Sequence, residues 1–249
     1  DWLARHFVQE AKWSRKELIR LIVHSSTYRQ ASAHRPELAE IDPSNELLHR
    51  QNRFRVEAEI VRDLSLAVAG LLSDKVGGPS VFPPLPPGIA NLSYANSFKW
   101  NVSKGPDRYR RGLYTFFKRT SPHPNLLTFD CPDSNVVCVK RNRSNTPLAA
   151  LTTLNNATYA EAAKAFAQRI IKEAPADDRK RITHGFRLCV ARLPEPAETK
   201  AFASLLADSR SWYKEHPEDA KNFAGDSETA AWTATVRIML NMDEFLTRE

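Results

Sequence analysis

Apolar positions recur with a helical period over most of the chain. Between Phe54 and Leu72, the residues Ile60, Val61, Leu64, Ala67, Val68, Leu71 and Leu72 fall on one helix face, and Glu59, Arg62 and Asp63 mainly on the other. Nearer the start, Trp2, Leu3, Phe7 and Val8 share a face, so the chain is expected to begin within a helix and to be a piece of a longer protein. Leu18, Leu21 and Ile22 mark the next helix. Ser14 and Glu17 form a capping box at its start, with Trp13 placed to staple onto Leu18. Asp42-Pro43 reads as a further start, a cap followed by Pro in the first turn.

The second half carries the same signals. Thr146 is a predicted N-cap with Pro147 as the first helical residue. Thr158 and Glu161 have capping-box spacing and open a helix to about Lys172, closed by Pro175. Asp178 to Arg192, Ala197 to Lys214 and Ser227 to Arg248 read as three more amphipathic helices, separated by Pro194, Pro196, Pro217 and Gly225.

Between these halves the period is lost. Gly77-Gly78-Pro79 and the run from Pro83 to Gly88 cannot occupy a helix interior. The proline run is expected as polyproline II, lying across the domain's own surface or offered to a partner's aromatic groove. Asn91 to Pro106 reads as loop, and Leu113 to Lys118 has the character of one short strand. The predicted fold is mainly α: a helical domain with a long ordered irregular central region and at most a few short strands. The chain is read as one domain, 1–249, with N-terminal helices over 1–75, the irregular region over 76–145 and a helical part over 146–249.

With 42% hydrophobic and 26% charged residues, the composition is that of an ordinary globular protein, and no apolar run is long enough to span a bilayer. The net charge of +7 admits acidic partners, but no run of five basic residues occurs, which argues against nucleic acid. Three cysteines without a C-x-x-C argue against a structural zinc site. Cys131 and Cys138 can pair in an exported protein, or remain two reduced, half-buried thiols.

The densest chemistry lies between Arg108 and Asn156. Asp130 and Asp133, with Asn135 close behind, can bind a hard cation such as Ca²⁺ or act as an acid/base pair. They can equally cap turns and pair with Arg141 or Arg143. Arg108, Arg110, Arg111, Lys118, Arg119, Arg141 and Arg143 suit an anionic glycan, with Tyr109, Tyr114 and Phe116 to stack on sugar rings and Asn145 beside the Thr146 helix start. The same arginines can instead form an ion-pair network that holds the long loop on the helices. His123 lies between Pro122 and Pro124 and is a candidate acid/base, with no paired nucleophile to be read beside it. The other histidines lack metal-ligand spacing, and His24 reads as a core or helix-end residue.

Several segments together carry a resemblance: L-I-V-H-S-S-T-Y-R-Q from Leu21, G-G-P-S-V from Gly77, R-R-G-L-Y-T-F-F-K-R-T from Arg110, T-F-D-C-P-D from Thr128, R-S-N-T-P-L-A-A-L from Arg143 and N-M-D-E-F-L-T from Asn241. In order and over essentially the whole chain, they resemble the planctomycete-specific C-terminal domain of cytochrome-c-containing multidomain proteins, a domain of unknown function. The resemblance implies an exported parent protein, at the cell surface or in the periplasm, with other domains beside this one. Some of those domains would carry a c-type haem. This chain has no C-x-x-C-H and so holds no haem c itself. Ala149 and Asn155-Asn156-Ala157 depart from the family wording, which has Gln and Asn-Asp-Pro there. Any chemistry relying on that Asp is absent here.

Three functions stay open on this reading. The first is a binding or interaction module that docks a neighbouring domain, a cytochrome domain or an anionic polysaccharide. The second is a catalytic domain acting on polysaccharide, with electrons passed to the attached haem. The third is a purely structural domain.

Overall fold

The computed structural model describes residues 1–86, 89 and 99–248. The parts of the proline run at Pro87 and Gly88 and of the expected loop at 91–98 lie outside the described residues. Among those described, the helices are α1 (Trp2–Gln9), α2 (Arg15–His24), α3 (Ala58–Val68), α4 (Pro124–Thr128), α5 (Pro147–Asn155), α6 (Ala157–Glu173), α7 (Asp178–Val190), α8 (Pro196–Glu215), α9 (Pro217–Phe223), α10 (Ser227–Met239) and α11 (Asp243–Leu246). Two short strands, β1 (Phe54–Arg55) and β2 (Thr247–Arg248), form the one sheet among the described residues. The protein is therefore mainly α.

The chain divides into two compact units, one holding 1–54 and Arg248, the other 55–247. In the first, α1 and α2 are followed by turns and loops. Ser14 accepts a hydrogen bond from Glu17 N, as its capping role requires. The Glu17 carboxylate turns to Arg20 instead of back to the cap, and Trp13 packs edge-on against Phe7. The expected helix at Asp42-Pro43 does not form. Both Asp42 carboxylate oxygens are taken by the amides of Glu46 and Leu47, and Asn45 and Leu48 adopt positive φ, so the segment closes as successive turns.

The second unit is built around α10. Ala230, Ala231, Trp232, Thr233, Thr235, Val236 and Met239 are all fully buried, because α6 and α8 pack on α10 from different sides. Its polar groups are satisfied locally: Thr233 and Thr235 donate to the carbonyls of Thr229 and Ala231, and Trp232 Nε1 donates to Glu228. Facing α10, α6 offers Ala162, Ala163, Phe166, Ala167 and Ile170 without exposure. Gly185 lets α7 approach, since a Cβ there would sit 3.0 Å from Met239 Sδ and 3.1 Å from Ile170 Cδ1.

Some helix boundaries differ from those read in the sequence. Asn156, not Thr158, caps α6, accepting from Thr158 N, because the Glu161 carboxylate is drawn to Arg108 and Tyr109. The predicted helix from Ser227 to Arg248 stops at Met239 and gives way to the short α11. Pro217 starts α9 and does not merely separate helices, as Pro can at a first helical position. The Leu113–Lys118 segment is a 3₁₀ turn over Gly112–Tyr114 followed by extended chain, bridged in parallel from Thr115 to Val81. The prolines before it lie against the protein: Trp100 Nε1 donates to Pro83 O at 2.7 Å.

The largest difference concerns α3. Arg62 and Asp63 fall on the helix face opposite the apolar one, yet they are buried. α3 packs on α6 with its apolar side, and the irregular segment covers its polar side. The closest approach is at Gly112, where a Cβ would meet Glu59 O at 2.6 Å and Glu59 Cα at 2.7 Å. Both are backbone atoms and cannot swing away. Gly112→Ala is therefore expected to destabilise the unit by about 2–3 kcal/mol in urea unfolding, whereas Gly105→Ala, where a Cβ meets nothing within 4 Å, costs only what its positive φ imposes.

Candidate functional site

The segment that follows α3 is shaped by ion pairs and backbone carbonyls more than by apolar contact. One of the cations that hold it is Arg55, just ahead of α3 and 4% exposed. Arg55 donates to Asp130 Oδ2 at 2.5 Å, to Phe129 O at 3.1 Å, to Val56 O at 2.7 Å and to Ser144 O. Its guanidinium also lies over the Phe129 ring. Asp130 adopts φ +58°, a conformation that Asp tolerates, and this turns its carboxylate inward. That carboxylate also accepts from Ser144 N at 2.7 Å and Ser144 Oγ at 2.8 Å. Burial works to raise the Asp130 pKa, but the Ser144 and Arg55 hydrogen bonds outweigh it and hold the group below the ordinary carboxylate value.

A second set joins the segment to α3 and α6. Asp63 accepts from Gly112 N at 2.5 Å and from Arg111 Nε at 3.2 Å. Arg62 donates to Arg108 O at 2.7 Å. Arg108 makes a forked contact with Glu161, at 2.8 and 3.2 Å, and Tyr109 OH donates to the same carboxylate at 2.7 Å. Burial pushes the Glu161 pKa up, yet Arg108 and Tyr109 leave it lowered overall. Arg110, 1% exposed, donates to the carbonyls of Pro79, Lys75 and Gly77 and stacks at 3.7 Å on Tyr114, whose hydroxyl receives Gly77 N. It fixes the glycine turn.

The remaining candidates are spread along the surface. Arg141 pairs with Glu57 and Glu59, and Arg143 with Glu57. They line an open cleft of about 730 Å³ together with Cys138, Val139, Lys140 and Asn142. The cleft is lined by none of Asp130, Asp133 and His123. Asp133 accepts from both the backbone and the side chain of Asn135, as an exposed turn. Asn145 donates to Asp243, and Arg119 is exposed. Cys131, Cys138 and Cys189 are free thiols; burial pushes Cys131 up to about 11. No group of three or more His, Cys, Asp or Glu side chains placed to hold a metal occurs among the described residues. No helix among them is long and apolar enough to cross a membrane.

His123 is 3% exposed, with Nδ1 accepting from Asn125 N at 3.2 Å and Nε2 lying 3.1 Å from Pro84 O. One nitrogen accepts and the other must donate, so the ring is neutral in this setting. Burial lowers its pKa to about 4. Asn156, where the family wording has Asp, holds Asn125 through two side-chain amide bonds and caps α6, a role Asp also fills.

The partners of these residues were not visible from the loop itself. Arg55, Glu57, Glu59 and Asp63 precede it by about 45 to 53 residues, and Glu161 follows it. The available signal was an apolar helix carrying Glu59, Arg62 and Asp63 on its other face, some forty residues ahead of an arginine-rich stretch.

Two outcomes are expected. Asp130→Ala leaves the Arg55 charge buried without its anion, and should cost about 3–5 kcal/mol in urea unfolding. For His123 the folded pKa is about 4 against an ordinary value of 6.5. Its contribution is thus fully present above pH 6.5 and lost as pH falls toward 4, by about 3 kcal/mol. In His123→Gln the stability between pH 6.5 and 4 should flatten, measured as urea midpoints across that range.

The family described as PSD1, protein of unknown function (DUF1553), matches residues 1–206 of the chain. No curated protein and no solved structure matches it. Matched over most of its length, the chain belongs to this PSD1 family.

Proposed function

We propose that the chain is an interaction module, which docks an apolar surface of a neighbouring domain of its parent protein. The observation that carries this reading is the α1–α2 pair. Neither helix contains a buried residue, and between them lies a groove of about 770 Å³ lined by Trp2, Leu3, Ala11, Leu21 and Ile22, with His6 and Arg20 among the polar residues beside them. Ile19 and Val8 add exposed apolar surface on the same helices, and Trp13 on the turn between them. Amphipathic helices that leave such a face to water mark docking sites in folded proteins. The multidomain parents implied by the family resemblance supply the occupant, a domain of the same polypeptide, in an exported protein that carries its c-type haem elsewhere.

The other readings have less support. Glycan binding through the central segment would need arginines to spare, and Arg108, Arg110, Arg111, Arg141 and Arg143 are committed to partners within the chain. Catalysis would need convergent titratable groups. Asp130, Asp133 and His123 are each held by a different set of neighbours.

Hydrogen exchange on the parent protein and on this chain alone tests docking. Amides over residues 2–25 should be protected in the parent and exchange faster in isolation. Ile22→Glu with Leu3→Glu should remove that protection without lowering the melting temperature. Equal exchange of residues 2–25 in the two forms would refute docking through this groove.

A further inference from the structure

We infer that the loops following α2 form an oxyanion site, suited to a phosphate or sulfate monoester. A cleft of about 620 Å³ lies there, lined by Arg29, Arg50, Arg53, His34, Gln30 and Ser32, and no Asp or Glu among the described residues lines it. It shares no lining residue with the α1–α2 groove and does not rest on the docking reading.

The backbone around the cleft is held in place. Gln51 N donates to Ala31 O at 3.0 Å, joining its two sides. Asn45 grips Arg50 from below: its Nδ2 donates to Arg50 O at 2.8 Å, and its Oδ1 accepts from Arg50 N at 3.2 Å. Asn45 Nδ2 also reaches Asn52 Oδ1 at 2.9 Å. Asn45 is itself buried, so the stem of Arg50 starts from a fixed point.

Arg50 Nε has no hydrogen-bond partner among the described residues. A buried donor without an acceptor is costly, and an anion would supply the acceptor. Elsewhere several half-buried arginines pair with carboxylates: Arg192 with Glu198 and Glu244, Arg210 with Asp178 and Glu228. Arg29 and Arg50 have no such carboxylate, and the nearby Glu37 is bonded to Arg35. Guanidinium forks match the paired oxygens of phosphate and sulfate, and two or more of them around one cleft favour a doubly charged group over chloride. The cleft is larger than a bare tetrahedral anion requires. Ser32, His34 and Gln30 would then face the polar remainder of the molecule that carries it.

Calorimetric titration of the whole chain tests the site, with inorganic phosphate, inorganic sulfate, a sugar phosphate and the matching sugar sulfate at constant ionic strength. Saturable binding of the charged sugars, and none of the neutral sugar, is expected. Whichever ester binds more tightly identifies the source of the anion. Arg29→Ala and Arg50→Ala should each weaken it by about tenfold or more. Arg29 is exposed, so its variant keeps the test decisive should Arg50→Ala disturb the loop. Absence of saturable binding at constant ionic strength, or unchanged affinity in a folded Arg29→Ala protein, overturns the proposal.

Discussion

Pairing of arginine with carboxylate, across a helix with two buried faces, is the constraint on which the second unit depends. α3 gives its apolar side to α6. Its other side presents Glu59, Arg62 and Asp63, and these receive Arg141, the Arg108 carbonyl, and Arg111 with Gly112 N. A segment with almost no regular structure has few backbone bonds of its own. Its amides and carbonyls must find side chains instead. Arg55 and Arg110 do this for six main-chain carbonyl oxygens between them, from Val56 to Ser144. Charge therefore does here what a hydrogen-bonded ladder does in a sheet, and the geometry is fixed by a few long side chains.

The helices were legible from the sequence because their signals are local. Ser14, Thr146 and the apolar period of α3 all act within one or two turns, and each sits where it was read. The failures were cases in which a distant group outbid a local one. Glu161 had the spacing to close a capping box at Thr158, but Arg108 and Tyr109 hold it, and Asn156 caps the helix in its place. Asp42 had the chemistry of an N-cap and used it on a pair of turns. Arg62 and Asp63 sit opposite the apolar face, and nothing in the helix pattern says that a loop will return to cover them.

The candidate residues were legible as a set but not in their roles. A concentration of arginines and aromatics can mean a ligand surface or a scaffold, and the two differ only in where the matching carboxylates lie. For Arg108, Arg111 and Arg141 those carboxylates stand on α3, on α6 or just ahead of α3, well outside the segment. The cationic cleft following α2 was passed over for the opposite reason. Arg29, Arg50 and Arg53 are spread over some twenty-five residues and form no dense run, and only the turn held by Asn45 brings them around one space.

The burial of most of α10 bears on how the protein is made. Residues 227–239 follow α3 through α9 in chain order, yet they supply the surface on which α6 and α8 close. During synthesis those two helices leave the ribosome with apolar faces that lack this partner, α6 about fifty residues and α8 about a dozen residues before α10 begins. Native packing of this unit is thus a late event in biosynthesis. The interval before it is when the nascent chain most needs protection from association with its neighbours.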